Sequence, residues 1–192
     1  MASTVLGILG RKRSGKDTFA ARLVSAHGYT RVGFADALKA AALALDPYVE
    51  LRPTGTAYQP ADYVRLSEVV AAYGWEPAKE IADVRRTLQR LGSDAVRDHV
   101  HPEDWINALR RTVDSIPGPV VIPDVRFPNE VDYAATRGYT VRVIRPGLAT
   151  DDEHISETAL DDTGANFTVI NGSDIAALHA AADRVAAGIR HR

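Results

Sequence analysis

Gly10-Arg11-Lys12-Arg13-Ser14-Gly15-Lys16-Asp17-Thr18 is the stretch that decides the fold of this chain. An apolar run, Thr4-Val5-Leu6-Gly7-Ile8-Leu9, precedes it, and an amphipathic one, Phe19-Ala20-Ala21-Arg22-Leu23-Val24, follows. Strand, glycine-bounded loop and helix in that order form the context in which backbone amides cradle a phosphate. The two glycines let the loop curl so that successive N–H groups face one anion. A helix starting near Gly15 adds its positive dipole end, and Lys16 supplies a mobile cation for the outer phosphates. The general pattern asks for a hydroxyl directly after the lysine to ligate Mg²⁺. Here Asp17 holds that place and Thr18 follows, so the sequence leaves open which of the two touches the metal.

Working outward, apolar stretches alternate with helical patterns. Strands are expected at residues 4–9, 29–34, 119–124, 139–144 and 167–170, and helices at 15–27, 62–73, 79–98, 103–115 and 128–137, with an alanine-rich helix after Asn171-Gly172. Asp36 reads as the N-cap of a short helix. Residues 46–61 read as an irregular connection, because they hold three prolines and a glycine. This alternation predicts a three-layer α/β sandwich, a parallel sheet of about five strands with helices on both faces. The 192 residues make one domain, with a helical substrate-binding insertion at about 46–115 that forms a lobe over the ligand cleft. The polar, acidic residues 148–165 read as a lid-like loop.

Composition narrows the function. The formal net charge of −2 offers no global field for a nucleic-acid polymer or an acidic membrane. Basic residues gather locally instead, at Arg11 to Arg13, at Arg85, Arg86 and Arg90, and at Arg142 and Arg145, which suits a small anionic ligand. The chain has no cysteine, which excludes disulfides, thiolate metal sites and a cysteine nucleophile. His154 has no second ligand at metal spacing, and no hydrolase elbow occurs. A leader pattern and a membrane-length apolar run are both lacking, so a cytoplasmic location is expected.

Two further constellations carry chemistry. Asp124 closes a buried strand, at the sheet edge where α/β proteins bind ligands, and Arg126 lies two residues on. One group suits metal or its waters, the other phosphate oxygens. Asn129 and Glu130 follow at a helix start, either to read a ligand edge or to cap the helix. The second constellation is Arg85-Arg86-Thr87-Leu88-Gln89-Arg90-Leu91-Gly92-Ser93-Asp94. At helical spacing Arg86, Gln89, Arg90 and Ser93 share a face suited to a phosphorylated ligand. Trp105 stacks on a base or fills the core, and Lys39 and Arg65 stand as isolated cations.

The chain resembles the deoxynucleoside monophosphate kinases of bacteriophages. The resemblance rests on Lys12 to Thr18, Ala37-Leu38-Lys39, Arg85-Arg86-x-x-Gln89-x-Leu91-Gly92-Ser93-Asp94 with Trp105 downstream, and Ile122-Pro123-Asp124-x-Arg126-x-x-x-Glu130. Val143-Ile144-Arg145-Pro146-Gly147 and His154-Ile155-Ser156-Glu157 complete it, and Tyr63-x-Arg65 is its sparsest block. The Gly-Lys-Asp-Thr form of the loop is typical of that family. The resemblance implies a P-loop kinase fold and transfer of the γ-phosphoryl of ATP to a deoxynucleoside 5′-monophosphate, with Mg²⁺.

By the same resemblance Lys12, Arg13, Ser14, Gly15, Lys16, Asp17 and Thr18 hold ATP, and Asp17, Thr18 and Asp124 are the metal candidates. Leu38, Lys39, Arg65, Arg86, Gln89, Gly92, Ser93, Trp105, Asp124, Arg126 and Glu130 line the monophosphate site. Arg13, Lys16, Asp124 and Arg126 are the catalytic set, and the choice between Arg85 and Arg86 stays open. ATP and the monophosphate are the expected partners, and host cytoplasm the location if the source is a phage. Oligomeric state, a homodimer included, and base preference are left open. The rival readings are another small-molecule kinase of the dephospho-coenzyme A kinase type and a nucleotide-binding switch without catalysis.

Overall fold

The computed structural model describes residues 4–51, 62–148, 160 and 163–191. They fall into two compact units, Met1–Phe34 with Ile106–Arg192, and Ala35–Trp105. We call them the sheet unit and the helical unit.

Five strands build the sheet unit: β1 (Val5–Leu9), β2 (Thr30–Arg31), β5 (Val120–Ile122), β6 (Gly138–Ile144) and β7 (Phe167–Ile170). All pair in parallel, in the order β2-β5-β1-β6-β7. β1 lies in the middle and is buried throughout, which is why it reads as a continuous apolar run rather than an alternating one. Its Leu6 and Ile8 pack on one side with Phe19 and Leu23 of α1 (Lys16–His27) and Leu178, Ala182 and Val185 of α8 (Ile175–Arg190). Val5 and Leu9 pack on the other with Ile106, Leu109 and Val113 of α6 (Asp104–Asp114) and Val131 and Ala134 of α7 (Pro128–Arg137). Helix, sheet, helix is the expected sandwich. Each fully buried Leu, Ile or Phe contributes about 1.5–3 kcal/mol to it. Among the described residues no helix is long and apolar enough to cross a membrane.

The helical unit has its own core, in which Ala42, Val49, Leu66, Val69, Ala78, Val84 and Leu88 are buried. Its elements are most of α2 (Phe34–Leu45), β3 (Tyr48–Glu50), β4 (Tyr63–Arg65), α3 (Leu66–Tyr73), α4 (Trp75–Ala78) and α5 (Ala82–Gln89), followed by a π-helix at Arg90–Arg97.

Five local expectations are corrected here. The stretch 29–34 is strand only at Thr30–Arg31. Asp36 is not an N-cap: α2 begins two residues earlier, at Phe34, whose amide donates to Asp124 Oδ1 at 3.0 Å. The connection 46–61 contains β3, and the helix expected from 62 starts at Leu66, after β4. β3 and β4 pair antiparallel, Tyr48 opposite Arg65 and Glu50 opposite Tyr63, a long-range pairing that outweighs helical spacing. The helix expected over 79–98 opens into the π-helix at Arg90. The lid-like loop expected at 148–165 lies largely outside the described residues, as does His154.

α1 and α8 are also joined on their outer side. Arg22 donates from Nε and Nη2 to the two carboxylate oxygens of Asp183, each at 2.9 Å, and His27 Nε2 lies 2.7 Å from Oδ1. The Arg22 bonds first, then His27, hold the Asp183 carboxyl well below the usual carboxylate range. A carboxyl depressed in the folded state stabilises above its unfolded pKa of about 3.9 and stops doing so as pH falls toward its folded value. Asp183→Asn should therefore melt at a lower temperature than the parent at pH 7, and the gap should narrow below about pH 4. Melting curves across that range check it; a gap that is constant with pH contradicts the assignment.

Candidate active site

The loop after β1 adopts the curl its glycines allow. Gly10 has φ 143°, Gly15 has φ 104°, and between them Arg13 has φ 64°. A side chain could not replace either glycine. A Cβ on Gly10 would lie 2.4 Å from the Val143 carbonyl oxygen, and one on Gly15 would lie 2.6 Å from Asn171 Nδ2. The Ser14 amide donates to the Arg11 carbonyl at 3.1 Å, closing the turn. α1 starts at Lys16 with Gly15 as N-cap, and no side chain caps it. Lys16 Nζ bends back to the carbonyls of Gly10 and Arg11, at 2.5 and 2.7 Å. The Ser14 side chain is 1% exposed, and its hydroxyl has no hydrogen-bond partner among the described residues. A buried orphan hydroxyl beside a left-handed curl at a helix N-terminus fits an anion with several acceptor oxygens. Asp17, in the first turn, is exposed and Thr18 half-buried, both oxygen donors of the kind Mg²⁺ takes.

Asp124 and Arg126 follow β5, which pairs directly with β1 through Val5–Val120, Leu6–Val121 and Gly7–Ile122. Parallel register sets both loops at the same carboxyl edge of the sheet, in the crevice beside its central strand. Asp124 is half-buried and engaged with the α2 N-terminus through Phe34. Arg126 is half-buried too. Its backbone is fixed by Glu130, whose Oε2 accepts from the amides of Arg126 at 2.7 Å and Phe127 at 3.2 Å. Glu130 is 3% exposed and sits three residues into α7. Of its two readings, helix capping is the one realised by Oε2.

Sequence reasoning missed a neighbour of Asp124. Gly33 passes so close that a Cβ there would lie 2.8 Å from Asp124 Oδ2 and 3.1 Å from Arg31 Nη2. Arg31 therefore shares this corner with Asp124, although it is more than ninety positions away in sequence and carries no local signal.

The remaining candidates lie in the helical unit and form smaller groups. Leu38 packs against Gly92, where a Cβ would meet Leu38 Cδ2 at 3.0 Å. Trp105 donates its indole N–H to the Gly92 carbonyl at 3.0 Å. Gln89 and Ser93 are half-buried on either side of the passage from α5 into the π-helix.

Arg86 is tied to Asp83 at 2.5 Å, whereas Arg85 lies 3.7 Å from Glu80. Asp83 also accepts from the Glu50 amide, and that bond first, then Arg86, hold its carboxyl below the usual range. Arg65 stacks on Tyr48, its guanidinium carbon 4.0 Å from the ring centre, and donates to the Asp46 carbonyl. Lys39 Nζ lies 5.6 Å from the ring centre of Trp75. Neither cation is isolated as the sequence suggested, and both aromatic partners went unread.

Comparison with known proteins adds an independent line. A family model described as deoxynucleotide monophosphate kinase matches residues 54–181, a span that excludes the loop at 10–18. A provisionally named deoxynucleotide monophosphate kinase of Acanthamoeba polyphaga mimivirus is 31% identical over 178 residues, covering 81% of each chain. The deoxynucleotide monophosphate kinase of Enterobacteria phage T4 is 29% identical over 97 residues, 48% of this chain and 40% of the phage protein. Among solved structures, TT1252 from Thermus thermophilus superposes with a TM-score of 0.51 at 21% identity, covering 98% of this chain and 99% of that one, a likeness of fold. The chain belongs to the deoxynucleotide monophosphate kinase family.

Proposed function

We propose that the protein transfers the γ-phosphoryl of ATP to a deoxynucleoside 5′-monophosphate, giving the diphosphate and ADP. One observation carries the reading: a family match that does not include the loop coincides with a glycine-bounded, left-handed loop at a helix N-terminus, the kind of curl that suits an anion. Residues Lys12 to Thr18 hold ATP. Leu38, Lys39, Arg65, Arg86, Gln89, Gly92, Ser93 and Trp105, together with Asp124, Arg126 and Glu130, bind the monophosphate, with Glu130 acting through the backbone of Arg126. Arg86 is the better candidate of its pair, because Asp83 holds its guanidinium in one place.

In the transfer, an oxygen of the acceptor phosphate forms the new bond to the γ-phosphorus. The bond from that phosphorus to the β-bridging oxygen breaks, and its electron pair leaves with ADP. The acceptor is already an anion and needs no strong base. The protein must bring two mutually repelling phosphates into line and neutralise the charge that spreads over the transferred group. Arg13, Lys16 and Arg126 do this. Asp17, Thr18 and Asp124 are the oxygen donors that would hold Mg²⁺, which when bound screens the β- and γ-oxygens.

A coupled assay of ADP release across deoxynucleoside monophosphates, ribonucleoside monophosphates, dephospho-coenzyme A and shikimate tests the proposal. ADP release should depend on one or more deoxynucleoside monophosphates. Release that ignores every acceptor, or that answers only to one of the other classes, overturns it.

A further inference from the structure

We infer that Asn171 is a positioning residue for ATP, locking the Ser14–Gly15 peptide of the phosphate loop in the orientation that binds. The inference deepens the reading that this loop holds the triphosphate, and rests on it. Asn171 lies just past β7, and its own amide donates to the Ile144 carbonyl at 2.7 Å, so the sheet fixes its backbone. Its side-chain Nδ2 donates to the Ser14 carbonyl at 2.9 Å. The same Nδ2 would lie 2.6 Å from a Cβ on Gly15, so the amide fits against the face that only glycine leaves open. Leu178 of α8 closes the same face, its Cδ2 3.1 Å from that point.

A trans peptide points its C=O and N–H in opposite directions. Holding the Ser14 carbonyl toward Asn171 therefore fixes the Gly15 N–H on the opposite side of that peptide, away from Asn171 and free to face a phosphate. Nothing in Gly15 itself enforces this. Glycine has no steric preference for one sign of φ, so a flip of the Ser14–Gly15 plane is open to it. A flip would turn a carbonyl oxygen toward the phosphates in place of a donor. The left-handed Arg13 on the other side shows that the curl is held by its surroundings rather than by intrinsic preference. Asn171 reaches the loop from the strand edge beyond β6 and holds its Ser14 carbonyl.

The test compares Asn171→Leu, which keeps the size and removes the donor, with Asn171→Ala and Asn171→Asp. Loss of one bond that orders a binding group should raise KM for ATP about tenfold. The amide meets ATP in ground and transition states alike, so kcat should change little, and KM for the monophosphate should stay within about twofold. Calorimetric titration of ATP with Mg²⁺ into each protein gives the same comparison without turnover. Because the titration needs no acceptor, a failure of the role given to Asn171 and a failure of the proposed reaction produce different results. Asn171→Asp keeps the shape if the other two fail to fold, and should weaken ATP at least as much. Parental ATP affinity in any folded variant overturns the inference. So does a parallel rise of KM for both substrates that tracks a fall in melting temperature.

Discussion

Replacing Lys16 by alanine should lower turnover by about 10³-fold or more while leaving a folded protein. In this structure the ammonium sits on the carbonyls of Gly10 and Arg11, so its charge is satisfied by the loop that ATP would enter. Those two bonds contribute roughly 1 kcal/mol each to the fold. The core around α1 is built by Phe19, Ala20 and Leu23 and is untouched by the change. The melting temperature should therefore move only a few degrees. With triphosphate present, the flexible stem lets the ammonium exchange neutral carbonyls for charged phosphate oxygens. Charge-assisted bonds of that kind are about twice as strong, and they strengthen further as charge builds on the transferred group. The effect belongs to kcat more than to binding. Steady-state kinetics beside a melting curve measure both. A purified, folded Lys16→Ala variant with turnover near the parental value would remove Lys16 from the mechanism.

The parts of the molecule legible in the sequence are those whose causes are local. Gly10, Gly15 and Lys16 fix the loop within a few residues of one another, and the buried strand before them needs only its own apolar run. Glu130 caps the turn three and four positions before it, a short-range device visible in the pattern. Gly28 stops α1 in the left-handed conformation that glycine takes readily at a helix end.

What escaped reading depends on distant partners. Asp36 looked like a cap, yet the first amide of α2 is taken by Asp124, ninety positions on. β3 and β4 have three residues each, too few for a period to show, and each is a strand only because the other pairs with it. The π-helix forms where Leu38 presses on Gly92, a contact that no helical pattern encodes. Asn171 shows in the sequence only as a residue before the last helix, and its partner Ser14 is 157 positions earlier. The strand order of the sheet has the same character: it is a property of long-range pairing, not of any one strand.

Arg126→Ala should cost a comparable amount, roughly 10³–10⁵ in kcat if its guanidinium meets charge that develops in the transition state. Glu130 anchors position 126 through the backbone amide, so cutting the side chain back to Cβ leaves that anchor in place. α7 should keep its start and the protein its fold. Arg126→Lys should recover little. A planar fork can hold two oxygens of one phosphate at once, whereas an ammonium on a flexible stem is a single point charge. The contrast between the two variants separates geometry from charge. If charge alone sufficed, the lysine would restore most of the turnover. If the fork is required, both variants fail while ATP affinity, set by the loop after β1, stays near the parental value. Turnover measured at saturating ATP and monophosphate, with ATP titrated calorimetrically into the same preparations, distinguishes the two. Near-parental turnover in folded Arg126→Ala would leave Asp124 without its proposed companion and move the transition-state role elsewhere in the chain.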